Sequence, residues 1–345
     1  MSRTLTLGLL LFGGLAGASA QPPNARIGET VPRDVRELYD KGLQYLAKTQ
    51  NQNGDWIGGQ QGPGITGLGL LAFLASGEDP NFGMYSSNIR RAVRSIISNQ
   101  SASTGYFGMS MYHHGFAMLA LAEAYGAVDD RMVWPGGKGP RSIGAALELA
   151  VRAAITSQKR NPFGAWRYSP SATDADTSVS GAVLVGLLAA RNAGIEVPDE
   201  CINKGIAYYT RMTSSSGQVG YSGGLGGFGE SLARSSIACL VYSLARRKDL
   251  PQFKYTVSYL ANNLEFSGVA SGAGGVDYQR YYQAQALFQG DFEAWKKWNK
   301  LLVRQLKAAQ QPDGSIPGQF GGSLGTSFSL LALALNYRFL PIYER

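Results

Sequence analysis

The sequence has 345 residues, 44% of them hydrophobic, and a formal net charge of +8. That length and apolar content suffice for a large core, built as one big domain or two small ones. The basic excess does not point to a nucleic-acid partner, and none is expected: Lys and Arg gather into no stripe with interleaved aromatics, and the chain opens on what reads as an export signal.

That signal comes first in chain order. Arg3 supplies a positive region, Leu5 to Leu15 an apolar stretch broken by glycines, and Ala18-Ser19-Ala20 a small-residue cleavage site. Roughly a dozen apolar residues are too few to span a bilayer. Residues 1–20 are therefore expected to be a signal peptide cut near Ala20, leaving a periplasmic or secreted protein. Its mild positive charge suits association with an anionic envelope surface. Residues 21–33, with Pro22, Pro23 and Pro32, read as an extended lead-in. Residues 34–345 carry no low-complexity linker and read as a single domain.

The first unit of that domain has an amphipathic helix from about Arg36 to Thr49, a Gln50-x3-Gly54-x-Trp56 turn, a glycine-rich loop over Gly58–Gly64, and a second helix, Thr66–Ala75. The second helix is apolar nearly all round and is expected to be buried on every side, whereas its partner is half exposed. In the turn, the Gln amide is expected to satisfy backbone groups at the end of its own helix and the start of the next, with the indole stacked over it. The pattern recurs as Ser87–Gln100 with Met111–Tyr125, Ile143–Gln158 with Thr177–Ala193, Cys201–Met212 with Leu232–Arg246, Gln252–Asn263 with Tyr278–Gln289, and Phe292–Gln310 with Gly325–Phe339. The turns between them include Gly105-Tyr106-Phe107, Gly164-Ala165-Trp166, a degenerate Gly220-Tyr221, and Gly314-Ser315-Ile316. The markers Gln50, Gln100, Gln158, Met212, Asn263 and Gln310 lie 50, 58, 54, 51 and 47 residues apart. No run alternates as a strand does.

A hairpin of this kind cannot bury its apolar helix alone, so the units must stack. Six hairpins close economically into an all-α fold, an (α/α)6 toroid with apolar helices in an inner ring and amphipathic ones outside. Closure places all six inner-helix N-termini on one face, around a central cavity. Cys201 and Cys239 fall on different helices of one repeat, where either a disulfide or two buried thiols fits.

Lys41-Gly42, Tyr45-Leu46, Gln50, Gly54 and Trp56 together resemble the QW repeat of squalene-hopene cyclases, oxidosqualene cyclases and related terpene cyclases. Gln158, Gly164 and Trp166 in the third unit, and Gln310 with Gly314 in the sixth, are weaker copies. With Met111-Tyr112-His113-His114-Gly115 and Arg338-Phe339-Leu340-Pro341-Ile342-Tyr343, the mature chain is similar to secreted bacterial prenyltransferase and squalene oxidase repeat proteins. The resemblance implies the α/α toroid shared with protein prenyltransferase β subunits. For activity it implies less, because one fold hosts unrelated functions. Triterpene cyclases are about twice this long and protonate their substrate with the middle Asp of Asp-x-Asp-Asp-Thr. The matching place here reads Thr173-Asp174-Ala175-Asp176-Thr177, so Ala175 stands at the donor position or, shifted by one, Asp174 and Asp176 form a two-Asp version. The Asp, Cys and His set that holds zinc in protein prenyltransferases cannot be assembled.

Asp174 and Asp176 are the candidate catalytic acids, one protonated and one ionised; the competing role is a cap on the helix that follows. His113 and His114, the only histidines, point about 100° apart on a helix and have no Cys or acidic cluster beside them, so neither a metal nor a cofactor is expected. With Tyr112 they are candidate ligand-binding groups at the second inner helix, or else they pack locally. Glu123, deeper on that helix, reads as part of a buried pair. Asp277 opens the fifth inner helix, and Tyr278, Tyr281, Tyr282 and Gln285 share one face of it. Facing the cavity, they suit an isoprenoid chain or a carbocation; otherwise they pack between helices. Glu230 and Arg234 read as an i,i+4 salt bridge.

The leading expectation is a terpene-cyclase-like toroid holding an apolar or isoprenoid-type ligand, with acid-initiated cyclisation or isomerisation if it turns that ligand over. The alternatives are a non-catalytic binding toroid and a glycan-processing enzyme pairing Asp174 or Asp176 with Asp277 or Glu230 across the cavity.

Overall fold

The computed structural model describes residues 31–56, 61–222, 231–264 and 275–343. The chain divides into two units, Met1–Val31 and Pro32–Arg345, and the architecture below is that of the second. The expected signal peptide and most of the lead-in lie outside the described residues, as do Gly58, Glu230 and the Gly223–Gly227 loop.

Among the described residues, six outer helices alternate with six inner ones; the inner helices are mostly buried, and all but α11, which carries Asp277, Arg280 and several glutamines, are largely apolar. The outer set is α1 (Arg33–Thr49), α3 (Ser86–Ser98), α6 (Ile143–Arg160), α8 (Asp199–Met212), α10 (Pro251–Ala261) and α12 (Phe292–Ala309). The inner set is α2 (Pro63–Leu74), α4 (Met111–Ala124), α7 (Thr177–Asn192), α9 (Leu232–Leu244), α11 (Gly275–Gly290) and α13 (Gly322–Leu333). A one-turn helix, α5 (Asp130–Val133), interrupts the connection from α4 to α6. Every residue of α2 is buried, as is α7 from Thr177 to Ala190. Contacts run α2–α4–α7–α9–α11–α13 and return from α13 to α2, so the inner ring is closed; α1 meets α12 on the outside. Two isolated bridges are the only β pairing among the described residues.

The turn chemistry explains the closure. The Gln50 amide Nε2 donates to the Gly54 carbonyl (2.9 Å) and to Asn88 in the first turn of α3 (3.0 Å). Gln100 does the same to Gly105 and Ala146, Gln158 to Gly164 and Cys201, and Gln310 to Gly314 and Leu38. Each glutamine thus joins its own turn to the next outer helix, and Gln310 to Leu38 joins the last hairpin to the first. The expected division of labour needs correcting. The carbonyls near the end of the glutamine's own helix are taken by the indoles, Trp56 Nε1 to Leu46 (2.8 Å) and Trp166 Nε1 to Ala154 (2.9 Å). The Trp56 ring lies on α2 at Gly69, where a Cβ would come within 2.6 Å of it. A lone N–H donor with a broad apolar face requires both a carbonyl and a cleared surface.

The fourth unit also differs from expectation. Gly217, with φ +85°, occupies the turn position, and its missing Cβ clears the Tyr255 carbonyl. Thr213 rather than Met212 caps α8. Gly220 and Tyr221 instead offer their carbonyls to Thr177 at the start of α7. The sixth inner helix starts three residues before Gly325 and ends at Leu333, followed by a 3-10 turn over Ala334–Asn336. Arg338, at φ +61°, sends Phe339 away from the helical path. Cys201 and Cys239 are both buried free thiols.

Candidate functional site

Alternation of inner and outer helices brings all inner-helix N-termini to one mouth of the toroid, and the sequence-predicted acids lie there. Asp176 is the N-cap of α7, with its Oδ1 accepting from the Val179 amide at 2.7 Å. It is 0% exposed. Its second oxygen faces Arg167 Nε at 3.3 Å, an ion pair that lacks hydrogen-bond geometry. Arg167 Nη1 lies 3.3 Å from Asp174, whose side chain is 63% exposed. One arginine therefore pins both aspartates. Burial pushes the Asp176 carboxyl up to about 6, against the pull of the Val179 N–H and Arg167. Burial, and after it the Asp176 charge, raises Tyr208.

The guanidinium of Arg167 sits 5.5 Å from the Tyr168 ring centre and 5.3 Å from that of Tyr221, and the two tyrosine hydroxyls meet at 3.0 Å. Arg234 approaches the Tyr221 ring from α9 at 6.0 Å. The postulated partner Glu230 lies outside the described residues. Arg167, Tyr168 and Tyr221 were not among the expected site residues. Their one sequence signal is position, immediately after the turn aromatic Trp166 and after Gly220.

Among the described residues, aromatic side chains bridge the bore. Helices α4 and α11 stand opposite each other in the ring, and the Tyr112 and Tyr278 hydroxyls meet across it at 3.2 Å. Below them Phe116 packs on Tyr281 and Phe328 (6.2 Å each), and Tyr281 on Phe328 (5.2 Å) and Tyr282 (4.7 Å). The predicted aromatic face thus turns to the axis, where its rings pack on one another and on Phe116 and Phe328. Gln285 is buried and donates to the Tyr281 carbonyl of its own helix at 3.1 Å.

The two histidines part company. His113 Nδ1 accepts from the Gly64 amide of α2 at 3.2 Å, and burial lowers its pKa. His114 turns outward: Nε2 donates to Ala150 of α6 at 3.0 Å and Nδ1 accepts from the Phe107 amide at 3.4 Å. Both of its ring nitrogens are used by the protein, which makes it a strut between α4 and α6 rather than a ligand-facing group. Burial depresses its pKa to about 4. A ring-nitrogen NMR titration is expected to show His114 neutral, with its proton on Nε2, from about pH 5.5 upward; a His114 transition above pH 6 would contradict this arrangement. Among the described residues, no three His, Cys, Asp or Glu side chains group as metal ligands.

Two clefts of about 450 Å³ do not have Asp176 in their lining. One is at the opposite end of the ring, lined by Leu74, Glu123, Tyr125, Ala189 and Phe339. Glu123 is buried there, at the far end of α4. The other is lined by Asp277, Arg280, Pro317, Gly318 and Gln319. Asp277 is 3% exposed, and burial raises its pKa.

No protein-family model and no curated protein sequence matches the chain. Solved structures do. An inactive variant of the α-1,6-mannanase GH76A of Salegentibacter sp. HEL1_6, with two adjacent aspartates replaced by asparagine and in complex with α-1,6-mannotriose, superposes with a TM-score of 0.66 at 9% identity, over 88% of this chain and 99% of that one. The type II terpene cyclase MstE from Scytonema, as an arginine-to-alanine variant holding geranylgeranyl dihydroxybenzoate, gives 0.61 at 13% identity over 89% and 98%. Its apo form gives 0.58 at 14% identity over 90% and 100%. At these identities the likeness establishes the α/α toroid fold and nothing finer.

Proposed function

We propose that the protein is an exported, non-catalytic ligand-binding toroid that takes its ligand at the inner-helix mouth. The observation that carries this reading is the Tyr112–Tyr278 bridge, with the packed rings of Phe116, Tyr281 and Phe328 beneath it, where an acid-initiated cyclisation would need a chamber. The state of Asp176 supports it: one oxygen caps α7 and the other is turned to Arg167, so the carboxyl is engaged in holding the mouth together. The groups left for a ligand are the Tyr168 ring, which is 45% exposed, and the Asp174 carboxylate. They fit a molecule with a flat or apolar ring face for stacking and a polar edge for hydrogen bonding. Related toroids hold an isoprenoid-bearing molecule in one case and a mannotriose in the other, so the fold accepts either chemistry.

A second reading, acid-initiated isoprenoid cyclisation or isomerisation, is favoured by one specific observation. Asp176, with a pKa of about 6, is the type of carboxyl that keeps a proton near neutrality beside aromatic rings. Native mass spectrometry of the exported protein, with lipid and glycan extraction of what co-purifies, separates the two. A species bound unchanged over time by wild type and by Asp176→Asn, and at least tenfold more weakly by Tyr168→Ala, is the expected result. Conversion by wild type that Asp176→Asn abolishes would overturn the binding reading in favour of the cyclase one.

A further inference from the structure

The Asp277 cleft is separate from the Arg167–Asp176 group and carries its own chemistry. We infer that it is a binding site for a hydroxyl group of a neutral, polyhydroxylated ligand such as a sugar, with Asp277 as the acceptor. The inference goes beyond the mouth reading and does not depend on it.

Asp277 lies in the first turn of α11 and lines the cleft; backbone N–H groups of its own turn and of Gln319 act on the carboxyl, yet its Oδ2 meets no donor in hydrogen-bond geometry. A buried carboxylate oxygen without a donor is costly, and native proteins rarely leave one in place. Two glycines keep it reachable. A Cβ on Gly318 would stand 2.5 Å from Oδ2, and one on Gly275 would stand 2.6 Å from Oδ1 and 2.7 Å from the Gln319 amide oxygen. The cradle is therefore shaped by missing side chains on both sides of the carboxylate.

The charge balance selects the ligand. Arg280, one turn along α11, acts electrostatically on Asp277, and its Nη2 is held by Gln305 at 2.9 Å. With a guanidinium beside the one carboxylate that lines the cleft among the described residues, a cation gains little there, and a hard metal ion would find fewer anionic ligands among them than is usual. A neutral hydroxyl supplies the missing donor without adding charge. Its neighbouring hydroxyls meet the exposed Gln319 amide, which offers both a donor and an acceptor.

The test uses the exported protein with methyl α-mannoside, methyl β-glucoside and methyl β-galactoside as probes. Saturation-transfer NMR reads binding, and thermal unfolding of the unliganded protein reads the orphaned carboxylate. At least one glycoside is expected to take up saturation from wild type at millimolar concentration and to bind Asp277→Leu at least about fivefold more weakly. Because no ligand satisfies Oδ2 in the free protein, Asp277→Asn is expected to raise Tm by about 2–4 °C. The inference is overturned if no glycoside binds wild type, if binding survives in Asp277→Leu, or if Asp277→Asn lowers Tm, since the last outcome would make Asp277 a structural helix-terminus acid.

Discussion

Gly314→Ala is expected to destabilise the protein by about 3 kcal/mol, lowering Tm by roughly 4–6 °C, whereas Gly126→Ala costs only about 1 kcal/mol. Both glycines have positive φ, +90° and +82°, so an alanine pays the same left-handed backbone penalty at either. They differ in what the new Cβ meets. At Gly126 nothing lies within 4 Å; at Gly314 the Cβ overlaps the Lys41 carbonyl oxygen of α1. That contact lies on the seam where α12 returns to α1, beside the Gln310 to Leu38 hydrogen bond. Parallel thermal melts of the two variants therefore measure the seam itself. Equal losses would mean that the last hairpin does not press on the first.

The pH dependence of stability carries the second large effect. Asp176 has a pKa of about 6 in the folded protein against an ordinary 3.8. Between these values the folded state holds a proton that the unfolded state has released. Stability contributed by this group is therefore complete below about pH 4 and is lost as pH rises through 6. The raised pKa corresponds to about 3 kcal/mol, and Asp277, shifted in the same direction by burial, adds to the slope. Asp176→Asn keeps an oxygen for the Val179 amide and cannot ionise. It is thus expected to gain about 2 kcal/mol over wild type at pH 8, after about 1 kcal/mol is lost with the Arg167 pair, and to show a flatter profile between pH 4 and 6. Urea unfolding at pH 4.5 and pH 8 measures both quantities. A variant less stable than wild type at pH 8 would show that the Arg167 pair outweighs the burial of charge.

Much of the ring was legible in the residues. Gly67-Leu68-Gly69-Leu70-Leu71-Ala72-Phe73-Leu74 is apolar on every side and has nowhere to go except an inner ring, while the α1 stripe of Val35, Leu38, Tyr39, Leu43 and Leu46 has one buried face. The recurring glutamine and glycine marked four turns because each pair performs the same local task, an amide bridging a turn carbonyl and the next helix. In the fourth unit Thr213 stands where the glutamine would be, and the spacing pointed to Met212 and Gly220 instead of Thr213 and Gly217. A turn that keeps its glycine but loses its amide loses half of its signature.

The site was less legible, for a physical reason. Asp176 could be read as a cap or an acid, but its meaning depends on Arg167, Tyr168 and Tyr221, which arrive from two loops 53 residues apart. The face formed by Tyr278, Tyr281 and Tyr282 was visible from helical spacing. Whether it walls a cavity or fills one depends on which helix stands opposite.

Sequence alone determined the helices, their alternation and their closure, because burial of an all-apolar helix and the satisfaction of turn carbonyls are local demands met by nearby residues. Only the tertiary structure decided that Tyr112 meets Tyr278, that His114 turns outward to Ala150, and that Asp277 faces a cleft with one oxygen unsatisfied. Those facts arise from the sixfold arrangement, which sets Tyr112 and Tyr278, 166 residues apart, within hydrogen-bonding distance and His114 against the neighbouring outer helix, where no sequence period records them.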